Sequence, residues 1–366
     1  MAGDLTAAEE ATVAPTDGSV WAGQDTTPPE IESALRELLK ERHARSEAYV
    51  PARVLNLVVV ADRAWRGEIQ NRLDQVGRYH ASRTILCCVE PGRESIDAWA
   101  TTDGEGAGKA TDLCVLREQV VLDVGLRHLD HLETIVDPLV VTDLPTLVWS
   151  PHGHPEAVDA MLDMAQVVLI DSIAEPEPAA AVRRARELAE RAYVVDLAWL
   201  RSTPWRERVA ATFDPQQWRR EMDTISSVTV RHRPDSGVAG MLFLGWLAKR
   251  LGWRPGSMLG RDDALHGTAR GRRQDVMLRL EPDRTMRAPG LAGISIETAS
   301  GMRISLDRGS GGLSARRMTR DGRESRWTVM GASRGEPGIL GEGIRQAMLR
   351  DPTYGPALLA AEQMVL

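Results

Sequence analysis

Apolar residues along the 366-residue chain fall into short blocks with two different rhythms. In the first half, blocks such as Arg53-Val-Leu-Asn-Leu-Val-Val-Val60, Thr84–Val89, Pro145-Thr-Leu-Val-Trp149 and Val167-Val-Leu-Ile170 are apolar at nearly every position. That pattern belongs to strands covered by helices on both faces of a parallel sheet. Between them lie stretches of helical spacing: Ile31–Ser46 with Leu35, Leu38 and Leu39 on one face, Trp65–Gly77, Leu126–Val140 and Glu156–Ala165. Strand and helix alternating in this order predict a mostly parallel α/β sheet. A polar, glycine-rich excursion is expected over 95–111, followed by a strand over 113–124.

Beyond Ala174-Glu-Pro-Glu-Pro-Ala the rhythm changes. A helix over 182–191 and a strand over 193–197 precede two proline-marked helix starts, Thr203-Pro204 and Asp214-Pro215, each read as an N-cap followed by proline at the first helical position. Ile225–His232 reads as a strand, and Val238–Leu251 as a helix apolar all round and therefore buried. From Asp275 onward, short alternating runs separated by Gly, Pro and Asp predict an antiparallel meander, closed by helices over 339–349 and 357–365. The expected architecture is an α/β N-terminal domain with a mostly parallel sheet over 31–173 and an α+β C-terminal domain with an antiparallel meander over 174–366.

Charge refines this picture. Residues 1–30 hold six acids and no Lys or Arg, a composition too polar to offset its ordering entropy, so a disordered acidic tail is expected there. Residues 270–334 carry fourteen Arg against seven acids inside a chain of net charge −7. Alternation would place Arg279, Arg303, Arg316 and Arg326 on one solvated face. No basic n-region opens the chain and no apolar run approaches the ~20 residues of a membrane span, so a cytoplasmic protein without membrane contact is expected. Three cysteines, Cys87, Cys88 and Cys114, are too few for a disulfide framework and fit a reducing compartment. Cys87 and Cys88 point to opposite faces of one strand, while either could approach Cys114 from a neighbouring strand.

Chemical motifs are sparse. Asp103-Gly-Glu-Gly-Ala-Gly-Lys-Ala110 lacks the first glycine and the Ser/Thr of a phosphate-binding loop and reads as an exposed loop. His128 with His131, and His152 with His154, form no complete metal motif, so neither a metal nor a cofactor is expected. Two segments are denser in polar chemistry than a core needs. Arg78-Tyr-His80-Ala-Ser82-Arg83, with Arg53, is a candidate anion site at a helix-to-strand turn. Asp196, Trp199, Arg201, Thr203, Trp205 and Arg206 concentrate the residue types that dominate protein interfaces, because they join large contact area to a hydrogen-bonding handle. A core corner accounts for the same residues equally well.

In this order, Ala52-Arg-Val-Leu-Asn-Leu, His80-Ala-Ser-Arg-Thr-Ile, Leu144-Pro-Thr-Leu-Val-Trp, Asp196-Leu-Ala-Trp-Leu-Arg-Ser-Thr-Pro-Trp-Arg-Glu207 and Gly245-Trp-Leu-Ala-Lys-Arg-Leu-Gly-Trp253 resemble the glucose-6-phosphate dehydrogenase assembly protein OpcA family. The resemblance implies a cytoplasmic, non-catalytic protein that binds glucose-6-phosphate dehydrogenase, supports its assembly and raises its activity. Asp196, Trp199, Arg201, Thr203, Trp205 and Arg206 are then the expected partner-binding residues. The alternative is an enzyme on sugar phosphates, an isomerase or lactonase, gripping phosphate with Arg53, His80 and Arg83. Nucleic-acid binding ranks last, since the Arg-rich strands carry only Trp327 for base stacking.

Overall fold

The computed structural model describes residues 19–45, 49–50, 53–77, 81–105, 114–309, 311–330 and 335–365. Two nine-stranded sheets organise it. At the centre of the first are six parallel strands, Leu55–Asp62, Ser82–Val89, Cys114–Val124, Thr146–Trp149, Val167–Ile170 and Tyr193–Asp196. Numbered along the chain, they lie side by side in the order 3-2-1-4-5-6, the doubly wound order of dinucleotide-binding sheets. Leu55 to Ala61 are buried without a break, as helices on both faces require.

Two antiparallel strands extend this sheet beyond expectation, and the two-residue strand Tyr49–Val50, beside Cys114–Val124, makes the ninth. Asp97–Glu105 pairs with Cys114–Val124 where an irregular excursion was expected, and Ser19–Gly23 pairs with Asp97–Glu105. The core-facing residues of the first are the small Ala98, Ala100 and Thr102, so no bulky apolar rhythm marks it. Of the acidic tail expected over 1–30, Ser19–Gly23 is a strand and Pro28 begins the helix Pro28–Arg45, while residues 1–18 lie outside the described residues. Leu126–Val140, expected as one helix, is a succession of 3-10 and α turns, Leu126–His131, Leu132–Val136 and Asp137–Leu139, the last opened by Pro138.

The first sheet also continues past the 173/174 division, because Tyr193–Asp196 is its far edge. The C-terminal segment returns to it. Helix Gly335–Leu349 packs against Arg66–Gly77 and Leu197–Arg201, while Tyr354–Val365 lies along Gly237–Leu251 and Pro178–Arg191.

The second sheet runs Arg254–Pro255, Ala264–Arg270, Asp275–Pro282, Ile225–His232, Leu291–Thr298, Arg303–Gly309, Gly312–Met318 and Glu324–Met330, with Leu259–Arg261 pairing Ala264–Arg270. It is mixed rather than a plain meander. Ile225–His232 inserts between later strands, parallel to Asp275–Pro282 and antiparallel to Leu291–Thr298. One face packs on the apolar helix Gly237–Leu251, which ends at Gly252 in the left-handed conformation (φ 69°) that glycine adopts without strain. The other face carries the expected arginines, each beside a carboxylate: Arg279 with Glu281 at 2.7 Å, Arg303 with Glu297 at 3.1 Å, Arg316 with Glu324 at 2.9 Å, and Arg326 also with Glu324. These four arginines thus share three glutamates. No helix among the described residues is long and apolar enough to cross a membrane.

Candidate functional site

Asp196 ends the last parallel strand and starts the helix Leu197–Arg201. Its carboxylate accepts from the backbone N–H of Ala198 (2.9 Å) and Ser172 (3.1 Å) and from the Tyr354 hydroxyl (3.2 Å). Full burial pushes this carboxyl up to about 6, against the opposing pull of its hydrogen bonds. Trp199 Nε1 donates to Asp351 at 2.8 Å, and the Trp199 ring is tilted against Tyr354 with centroids 5.6 Å apart. Arg206 returns from the next helix, Thr203–Phe213, to donate to the Trp199 carbonyl (2.7 Å), the Thr203 hydroxyl (3.0 Å) and Ser202 Oγ. Burial lowers its guanidinium to about 10, so it remains charged at neutral pH. Arg201 holds Asp171 in a fork of two 2.7 Å bonds and reaches Glu336 on the returning C-terminal helix.

The expected partner-binding residues are therefore brought together, but as an internal brace. Trp199, Trp205 and Arg206 are 2%, 1% and 8% exposed and offer no surface as they stand. Thr203 is the first residue of its helix rather than the cap before it, and no side chain of Asp214 caps the turn that follows. Trp and Arg crowd a buried corner for the same reason that they crowd interfaces, since each fills space and still satisfies polar neighbours.

The candidate anion site resolves differently. Arg83 Nε donates to Glu118 at 2.8 Å and its Nη1 to the Leu139 carbonyl at 2.8 Å and Glu32 at 3.3 Å, while Arg53 binds the other oxygen of Glu118. Glu118 is 1% exposed. The chain thus supplies its own anion. Ser82 Oγ shares a hydrogen with Thr84 at 3.1 Å, and His80 lies outside the described residues. This turn sits at the amino ends of the parallel strands, whereas open α/β sheets hold ligands at the carboxyl ends.

At those carboxyl ends lies a cluster that the sequence pattern alone does not single out. The turn after Leu55–Asp62 reads Asp62-Arg-Ala-Trp65-Arg66-Gly67. Trp65 stacks on His152 at 4.7 Å and 30°, and burial lowers the His152 pKa. His154, at φ 57°, places Nε2 2.9 Å from Asp62. Arg63 and Arg66 stand 2.9 and 3.9 Å from Asp123, which is fully buried and whose carboxyl is raised by that burial. A dinucleotide needs glycine in this turn so that backbone N–H groups can approach a pyrophosphate. Here a carboxylate and an indole stand in that position, and the residues do not fit the cofactor. The legible signal is this polar, aromatic turn directly after an unbroken apolar strand.

Among the described residues no group of three or more His, Cys, Asp or Glu could hold a metal. Cys87 and Cys88 are buried, and burial raises both thiols, that of Cys88 to about 12. The expected approach to Cys114 does not occur. Cys87 pairs with Leu122, eight residues along the strand that begins at Cys114, or about 26 Å at the usual rise per residue.

A doubly wound parallel sheet joined to a mixed sheet defines the class: a two-sheet α/β chain whose first sheet has dinucleotide-binding topology. Two family models, both of a glucose-6-phosphate dehydrogenase subunit, match the chain: that of the N-terminal domain over residues 73–187 and that of the C-terminal domain over 192–358. The chain belongs to the OpcA glucose-6-phosphate dehydrogenase assembly family. It is 27% identical over 194 residues to the "Putative OxPP cycle protein OpcA" of Synechococcus elongatus, covering 52% of this chain and 42% of that protein. The protein of the same name from Nostoc punctiforme is 28% identical over 142 residues, 38% of this chain and 30% of that one. The matched region thus spans less than half of these relatives. Similar solved structures include an oxidoreductase domain protein from Kribbella flavida (TM-score 0.45, 15% identity, 85% of this chain and 95% of that one) and apo scyllo-inositol dehydrogenase from Lactobacillus casei (0.43, 12%, 85% and 94%). Scores at this level carry no functional argument.

Proposed function

We propose that this chain is a cytoplasmic, non-catalytic partner of glucose-6-phosphate dehydrogenase that binds the enzyme, supports its assembly and raises its activity in the oxidative pentose phosphate pathway. The observation that carries the reading is the family match over residues 73–187 and 192–358. The turn Asp62–Arg66 supports it, because it lacks the glycines that would let backbone approach a pyrophosphate. A regulator acts by binding one state of its partner more tightly than another, which calls for a shaped surface rather than a reactive group. In this reading the 196–206 brace works from inside. Trp199, Trp205 and Arg206 fix helix Thr203–Phe213, whose exposed Glu207, Ala210 and Ala211 face the partner.

The test is the steady-state rate of the same organism's purified glucose-6-phosphate dehydrogenase with and without this chain, with size-exclusion of the mixture. Co-elution with a raised rate is expected. Separate elution with an unchanged rate would overturn the reading.

A further inference from the structure

Helix Thr203–Phe213 presents a second arginine, Arg208, to a cleft of about 250 Å³ lined by Arg208, Ala211, Thr212, Pro215, Arg317 and Trp327. The cleft lies between this helix and the last two strands of the second sheet. Arg317 comes from the core-facing side of Gly312–Met318, where Leu313 and Ala315 are buried in the same alternation. Its guanidinium stands 4.3 Å from the Trp218 ring centroid and 5.6 Å from that of Trp327.

These two arginines line one cleft, and among the described residues neither meets a carboxylate. Next to Arg317 in sequence and across the ladder, Arg316 and Arg326 share Glu324 on the outer face. Among the described residues neither Arg208 nor Arg317 has a carboxylate within ion-pair distance, and Arg208 Nε is buried with no acceptor. A desolvated guanidinium without an anion is costly, and here two guanidiniums without a carboxylate flank one opening. Stacking on two indoles supports Arg317 in place but supplies no oxygen acceptor.

We infer that this cleft is a binding site for a small phosphate monoester, with the phosphoryl group between Arg208 and Arg317 and the carbon chain against Trp327 and Pro215. Two guanidiniums match a doubly charged phosphoryl group, and their planar donor forks match its oxygens. The volume suits a phosphoryl group with a short polyol and is too small for a dinucleotide. The inference is independent of dehydrogenase binding, and it is tested on this chain alone.

Isothermal titration of the full chain with glycerol 3-phosphate and with a hexose 6-phosphate, at fixed ionic strength, is the direct experiment. Saturable binding of at least one ester is expected, displaced by orthophosphate and absent for the unphosphorylated polyols. Arg317→Gln and Arg208→Gln should each weaken it about tenfold or more, with the unfolding midpoint recorded for each. Arg208 lies on a helix side open to the cleft, so its variant remains informative if replacement of Arg317 disturbs the strand. No saturable heat with either ester would overturn the assignment, as would binding that both variants leave unchanged.

Discussion

The Arg206 guanidinium lies 3.4 Å from the centroid of the Trp199 ring while donating to the Trp199 backbone carbonyl, so one cation engages both the side chain and the main chain of one residue. That carbonyl belongs to the last turn of helix Leu197–Arg201, where it also accepts from the backbone N–H (3.1 Å) and hydroxyl (2.7 Å) of Ser202. Arg206 therefore ties the end of one helix, already capped by Ser202, to the first turn of the next.

Arg206→Ala should destabilise the chain by about 2–3 kcal/mol, since it removes a buried cation-π contact together with the hydrogen bonds to the Trp199 carbonyl, Ser202 and Thr203. Arg206→Lys should recover only part of the loss, because an ammonium cannot stack and fork together. Urea unfolding of the two variants checks this. Equal stability of the Lys variant and the parent would show that charge alone matters here.

Asp196 makes stability depend on pH in a defined window. Its folded carboxyl sits at about 6, above the unfolded value of about 3.9. A group raised on folding contributes stability that is complete below the unfolded value and lost as pH rises through the folded one. Between pH 4 and 7 the ionised carboxylate should cost about 2–3 kcal/mol relative to the protonated form. Asp196→Asn keeps an oxygen for Ser172 and Ala198 but cannot ionise. Its stability relative to the parent should rise by that amount across the window; a difference that stays flat from pH 4 to 7 would be evidence against the raised value.

The sequence made the central sheet legible because its strands are unbroken apolar runs, as at Leu55–Ala61, and the helix Gly237–Leu251 legible because nothing charged interrupts it before Lys249. Strand Asp97–Glu105 was hidden, since its inward residues Ala98, Ala100 and Thr102 carry almost no apolar signal. The insertion of Ile225–His232 between later strands is set by long-range pairing, which local alternation does not encode. At the sites, residue type was readable and exposure was not. Trp199 and Arg206 announced a dense cluster equally consistent with a core or a surface, and Arg53 with Arg83 announced an anion without revealing that Glu118 supplies it. The unmatched pair Arg208 and Arg317 is separated by more than a hundred residues, so only the fold unites them.

Glu118 between Arg53 and Arg83 predicts a sharp asymmetry. Glu118→Gln leaves two guanidiniums facing a neutral amide at a buried position and should cost about 3 kcal/mol. Replacing all three members together with Leu and Met of similar volume should cost far less, because it removes the desolvation penalty along with the attraction. Chemical denaturation of the single and triple variants decides between this and a simple loss of contacts, which would make the triple variant the least stable.

Gly245 and Gly67 form a matched pair with opposite expected signs. A Cβ on Gly245 would stand 2.3 Å from the Ala357 carbonyl oxygen and 3.0 Å from the Ala361 nitrogen, so helices Gly237–Leu251 and Tyr354–Val365 meet there at backbone distance. Backbone cannot swing aside as a flexible side chain can. Gly245→Ala should therefore lose about 2 kcal/mol even after the ~1 kcal/mol gain in helix propensity. A Cβ on Gly67 meets nothing within 4 Å, and Gly67→Ala should gain about 0.5 kcal/mol through propensity and a less free unfolded chain. Thermal melts of the two variants beside the parent give the signs directly. A neutral Gly245→Ala would mean that the C-terminal helix can shift outward without loss, and that its contact with Gly237–Leu251 is not what holds the end of the chain in place.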